Sequence, residues 1–138
     1  MKCYANRVTT RLINTPPQNP VTATMNGQGQ RILPDQSDRQ SDSTQEFKFI
    51  TVLVFTGGAN SPTAQIIIQG SVDGVAWFDV LPGTDRTDPG TYNEALDSNT
   101  IGLLPWVRAK LVIAGGTAPG VVAAVDVVST GPFSFSST

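Results

Sequence analysis

Apolar positions along the chain either alternate with polar ones or run on unbroken, and neither pattern suits a helix. The run Phe47-Lys48-Phe49-Ile50-Thr51-Val52-Leu53-Val54-Phe55-Thr56 is almost wholly β-branched or aromatic, which predicts a central strand covered on both faces. From Trp106 to Ile113 the residues alternate instead. Val107, Ala109, Leu111 and Ile113 share one face, while Arg108 and Lys110 take the other, the pattern of a half-buried strand. Val121 to Val128 is apolar on both faces except at Asp126. A further strand is predicted from Thr63 to Gln69, and an amino-terminal one from Tyr4 to Ile13, where Val8, Thr9, Thr10 and Ile13 favour extension. Ser71-Val72-Asp73-Gly74-Val75 carries an Asp-Gly pair. That pair predicts a tight hairpin into a return strand, Val75 to Leu81, with Trp77 and Phe78 on opposite faces. Gly57-Gly58 and Gly115-Gly116 read as hairpin turns, Thr84 to Thr100 as a polar interval, and Ser129 to Thr138 as a short polar tail with Phe133 and Phe135 alternating.

Between Thr15 and Glu46 the texture is different: no aromatic residue occurs, and Gln, Asn, Ser, Thr, Asp, Pro and Gly dominate. So long a polar stretch is unusual inside a compact domain. It is either an arm that orders against a partner or a loop packed by small islands such as Val21 and Ile32-Leu33. No window of a dozen residues shows a capped helical period. The expected fold is all-β, an antiparallel β-sandwich or jelly-roll-like barrel with a long polar N-terminal arm or loop. Residues 1–46 would form a strand and the extended arm, and 47–138 the sandwich core. On the arm account, deleting Met1–Glu46 leaves the sandwich folded and abolishes partner binding.

Composition narrows the chemistry. The 138 residues fit one domain, and only 14% are charged, against about 25% in an average domain. There is no histidine, which removes the commonest general base and metal ligand. Cys3 is the only cysteine, so neither an intrachain disulfide nor a cysteine zinc site is available. A net charge of −2 and a pI near 4.8 give no bulk attraction to nucleic acid or an acidic membrane. Mean hydropathy is −0.05, and no apolar run approaches the roughly 20 residues that span a bilayer. Met1 to Arg7 lacks the apolar core of a signal peptide, so synthesis inside the cell is expected.

The acidic groupings dense enough to consider are Asp73 with Asp79, and Asp85 with Asp88, Glu94 and Asp97. Their spacing matches neither a glycosidase pair nor a calcium loop, and Asp73 already has a turn to make. Asp126 either faces solvent at an edge or pairs across strands with Arg108 or Lys110. The lysines are Lys2, Lys48 and Lys110, and none sits in a Ser–Lys motif. No catalytic, cofactor-binding or metal-ligating residue is assigned, and no enzymatic activity or cofactor is expected. Arg7, Arg11, Arg31 and Arg39 make the first 40 residues the more basic part, suited to interface ion pairs. Trp77 and Trp106 either pack in the core or at a sheet edge, or present a stacking surface.

The stretch Ile66-Ile67-Ile68-Gln69-Gly70-Ser71-Val72-Asp73-Gly74-Val75-Ala76-Trp77-Phe78-Asp79-Val80 resembles a hairpin of small bacteriophage virion proteins. Leu104-Pro105-Trp106-Val107-Arg108 and Gly115–Val128 follow in the matching order. The resemblance spans Phe47 to Val128, and it is shared with discoidin-type and other carbohydrate-binding sandwiches. It implies a non-enzymatic virion structural protein, a capsid decoration or cement protein, located in the virion. Its partners would be the major capsid protein or other virion proteins, with no nucleic acid and no membrane, and a homo-oligomer, a trimer, is implied. A carbohydrate-binding module using Trp77 or Trp106, and a head–tail or tail component, are the alternatives.

Overall fold

The protein is described by a computed structural model covering residues 7–15, 20–34, 47–98, 105–130 and 133–136. The described residues form ten strands: β1 (Arg7–Asn14), β2 (Met25–Asn26), β3 (Gln30–Pro34), β4 (Phe47–Ala59), β5 (Thr63–Ser71), β6 (Phe78–Pro82), β7 (Gly90–Ser98), β8 (Trp106–Ala114), β9 (Thr117–Thr130) and β10 (Phe133–Ser136). They form a four-stranded sheet, β1-β9-β4-β7, and a six-stranded sheet, β10-β3-β8-β5-β6, with β2 also pairing with β8. Every pairing is antiparallel. The described residues contain no helix. The fold is an antiparallel β-sandwich.

The core lies between the sheets. Phe49, Leu53 and Phe55 of β4 and Val121, Ala123, Val125 and Val127 of β9 meet Ala64, Ile66 and Ile68 of β5 and Val107, Ala109 and Leu111 of β8. Period two makes this possible, because every second residue of each strand faces the other sheet. Leu12 and Ile13 depart from this alternation, being adjacent in β1 yet both buried. A register shift between Arg11 and Ile13 against β9 marks a bulge, which re-aims the backbone so that neighbouring residues share a face. The core therefore draws on both sides of residue 46.

The sheets are joined at a double corner. β4 ends in one sheet and β5 begins in the other, turning through Asn60 (φ 65°) and Ser61 (φ 56°). Beside it, β8 crosses back into β9 through Gly115 (φ 68°) and Gly116 (φ 69°). Thr63 pairs with Ala114 and Ala59 with Thr117, so the β4·β9 ribbon continues as the β5·β8 ribbon around the bend. Gly115-Gly116 is thus a tight turn between sheets and not a hairpin within one. Gly57-Gly58 is no turn either. β4 runs through both residues to Ala59, with register shifts against β9 on either side of Gly57, because glycine in a strand accommodates a bulge.

Three segments that read as loop or tail are strands. Gly90–Ser98 is β7, an edge strand with Tyr92 and Leu96 packed against the core. Its third inward residue, Glu94, is polar, which hid the alternation. Of the two accounts of the Thr15–Glu46 stretch, the described residues fit the packed loop. Val21 bridges Val121 and packs on the core, β2 and β3 pair with β8, and Ile32-Leu33 lies within β3. Phe133–Ser136 forms β10 along β3.

Candidate functional site

The connection from β5 to β6 is wider than the expected Asp-Gly hairpin, and its carboxylate organises it. The amides of Val75 and Ala76 donate to Asp73 Oδ1 at 2.8 and 2.9 Å, and Ser71 Oγ donates to it at 3.1 Å. Ser71 Oγ in turn accepts from the amides of Asp73 and Gly74 at 3.2 and 2.8 Å. Asp73 thus mimics a backbone turn through its side chain. These donors hold its carboxyl below the usual carboxylate range, with the Ala76 amide the largest cause, followed by Val75 and Ser71. Gly74 sits at φ +79°, where a side chain is strained. Around this rigid frame Val72 is 70% and Val75 80% exposed, and Phe78, opening β6, is 48% exposed.

The loop folds back over the outer face of the six-stranded sheet. A Cβ on Gly74 would lie 3.0–3.3 Å from Cε2, Cδ2 and Cζ2 of Trp106, so Gly74 lies on that indole's face. Gly29 approaches the edge of Trp77, where a Cβ would meet Cζ2 and Cη2 at 3.0 and 3.1 Å. The Arg108 guanidinium stacks over the Trp77 ring, 4.5 Å from its centroid. A row of side chains then crosses the sheet from strand to strand. Arg108 Nε donates to Gln69 Oε1 at 2.8 Å, and Gln69 Nε2 donates to Asp79 Oδ1 at 2.8 Å. Arg108 faces Gln69, and Gln69 faces Asp79, in the β-ladder.

Trp77 and Trp106 are therefore brought together, each half-buried, with one face of each indole taken up inside the protein. Arg31, exposed on β3, lies directly opposite Trp106. Arg7 and Arg11 belong to β1 of the other sheet. Arg7 pairs through its backbone with Thr130, and Arg11 Nε binds Asp126 Oδ1 at 2.6 Å. The carboxylate raises the Arg11 pKa, chiefly through that hydrogen bond and then through its charge. Arg39 lies outside the described residues. Asp126 does not meet Arg108 or Lys110, because β8 and β9 are in different sheets.

The remaining described acids are dispersed. Glu94 accepts from the Thr84 amide and hydroxyl at 3.1 and 2.8 Å and lies 3.8 Å from Arg86. Arg86 stacks on Tyr92, 4.3 Å from its centroid, and this group lines a small cleft with Thr51, Leu53 and Ile66. Asp97 pairs with Lys48 at 3.9 Å. Among the described residues no three acidic or cysteine side chains converge to hold a metal ion.

No known protein family matches the chain, and no curated protein matches it by sequence. Among solved structures it is similar to a chain of the T13 IBDV viral particle, over 92% of this chain, at 11% identity and a TM-score of 0.48. The match spans 31% of that chain's length. It is also similar to the Tobacco streak virus coat protein, over 96% of this chain and 90% of that one, at 13% identity and a TM-score of 0.34.

Sequence reasoning singled out both tryptophans and missed Arg108 and Gln69 as their companions. The available signal was a cation at the exposed phase of β8, two residues from Trp106. What it lacked was the β5·β8 register, which sets Gln69 beside Arg108.

Proposed function

We propose that this chain is a non-enzymatic structural protein of a bacteriophage virion, a capsid decoration or cement protein that works by burying surface against neighbouring subunits. The observation that carries the reading is the braced β5–β6 loop. It holds Val72 and Val75 out to solvent at 70% and 80% exposure on a frame fixed by five hydrogen bonds between Ser71 and Ala76. A rigid apolar tip loses little conformational freedom on docking, and so favours association. The hairpin resemblance, centred on this same loop, supports the virion assignment. Preferential binding to an assembled lattice would stabilise it by mass action, and a homo-oligomer, a trimer, suits a site repeated by symmetry.

The test is light-scattering mass of the purified protein, followed by co-sedimentation with phage shells lacking it. The expected result is a discrete oligomer that sediments with shells at fixed stoichiometry and is lost on Val75→Asp. A folded monomer that stays in the supernatant at every shell concentration overturns the proposal.

A further inference from the structure

The cations whose side chains are described fall into two sets. Arg11, Lys48 and Arg86 have carboxylate partners, at 2.6, 3.9 and 3.8 Å. Arg31, Arg108 and Lys110 have none among the described residues, and all three lie on the outer face of the six-stranded sheet. Arg108 and Lys110 share the outward phase of β8, whose intervening residues Val107, Ala109 and Leu111 are buried. Arg31 is in register with Trp106 of the same phase. Successive outward residues of a strand stand roughly 7 Å apart, so the three cations and two indoles form one contiguous field. Arg108 is fixed at its centre: its plane is set by Trp77 and its Nε by Gln69, which Asp79 holds in turn. Burial lowers the Arg108 pKa with no acid to offset it.

We infer that this face is a docking site for an acidic segment of a partner protein, with Arg108 gripping a carboxylate through its two terminal nitrogens. A guanidinium whose Nε is occupied and whose plane is already set presents a preorganised pair of donors, and a planar carboxylate matches them in a bidentate contact. Arg31 and Lys110 take neighbouring carboxylates as point charges. The charge is complementary and local, since the chain as a whole carries −2. Acidic protein fits better than the other polyanions. Arg108 and Gly74 each cover one indole face, so the indoles cannot sandwich a base or sugar, and the planar fork at the centre of the field matches a planar carboxylate. The inference does not depend on the virion assignment, because it concerns the isolated chain.

The experiment titrates the purified full-length protein with acetylated hexaglutamate amide, following tryptophan fluorescence and the Arg Nε–Hε resonances by NMR. Hexaglutamine amide, hexagalacturonate and oligothymidylate are the parallel probes. Saturable binding of the glutamate peptide is expected, weakening with salt. Arg108→Gln should weaken it about tenfold or more, as loss of charge-assisted hydrogen bonds does. Hexaglutamine should not bind. If Arg108→Gln does not fold, the exposed-face double variant Arg31→Gln/Lys110→Gln replaces it and should also lose several-fold in affinity. Equal binding by a folded variant, no saturation by the glutamate peptide, or tighter binding of hexagalacturonate or oligothymidylate each overturns the assignment.

Discussion

Gly115 and Gly116 provide a sharp test of the double corner, because they share a backbone conformation and differ in surroundings. Both have φ near +70°, at +68° for Gly115 and +69° for Gly116. An alanine at either must enter the left-handed region, at about 1–2 kcal/mol. At Gly115 the added Cβ would lie 3.4 Å from Ser61 O, an ordinary contact. At Gly116 it would run into the Pro62 ring, 2.7 Å from both Cδ and the backbone N. That ring is buried and cannot swing aside, so overpacking adds about 1–3 kcal/mol. Gly115→Ala should therefore cost about 1–2 kcal/mol and Gly116→Ala about 2–5 kcal/mol. At about 3 °C per kcal/mol for a chain of this length, the midpoints should fall by about 3–6 °C and 6–15 °C. Urea unfolding followed by tryptophan fluorescence measures both, since Trp77 and Trp106 report the same transition. A difference between the two variants of less than about 0.5 kcal/mol would refute the packing of one corner on the other, since the clash alone should exceed it.

Other expectations follow from the same geometry. Phe49→Ala opens the core and should cost about 3–5 kcal/mol, whereas Ile50→Ala, 42% exposed on the opposite face of β4, should cost under about 1 kcal/mol; urea midpoints decide. Asp73 is held below its ordinary pKa in the folded loop, so its contribution is present above the unfolded value and is lost as pH falls through the folded one. Amide signals of Val75 and Ala76 should accordingly shift below about pH 4, and Asp73→Asn should abolish that step. The Arg11–Asp126 pair is half-exposed at the arginine, so Asp126→Asn should cost no more than about 1 kcal/mol, less in 1 M salt; thermal melts at two salt concentrations check it. Deleting Met1–Glu46 removes Leu12 and Ile13 from the core and should abolish the cooperative melt seen by calorimetry.

The strands legible in the sequence are those whose own residues favour extension, although the outer face of β4, expected to be covered, leaves Ile50 and Val52 42% and 37% exposed because only one sheet packs against it. Phe47–Thr56, Val121–Val128 and the alternating Trp106–Ile113 appear as β4, β9 and β8, the central members of their sheets. The hidden strands are edges or short pieces. β7 turns Glu94 inward towards Thr84 and Arg86, a polar residue satisfied by partners no local window contains. β2 and β3 are strands because β8 offers its ladder to them, and their own residues scarcely favour extension. The site followed the same division. The two tryptophans could be read one at a time, whereas the Asp79–Gln69–Arg108 row exists only in the register of three strands. The Asp-Gly pair predicts a tight turn, but the Asp73 carboxylate braces a wider one.

The bend shared by β4, β5, β8 and β9 also constrains how the chain reaches its native state. Phe47 must find Ser129 across the four-stranded sheet, and the two corners lean on each other, so neither ribbon can close around the bend alone. Folding that depends on such distant pairings is slow, on the order of milliseconds to seconds. Throughout that interval the Phe47–Thr56 segment, with Lys48 its only charge, is a bare β-prone stretch awaiting β7 and β9. Newly made chains at high concentration should therefore lose material to aggregation through this segment, and a further charge at outward-facing Val52 should raise the soluble yield.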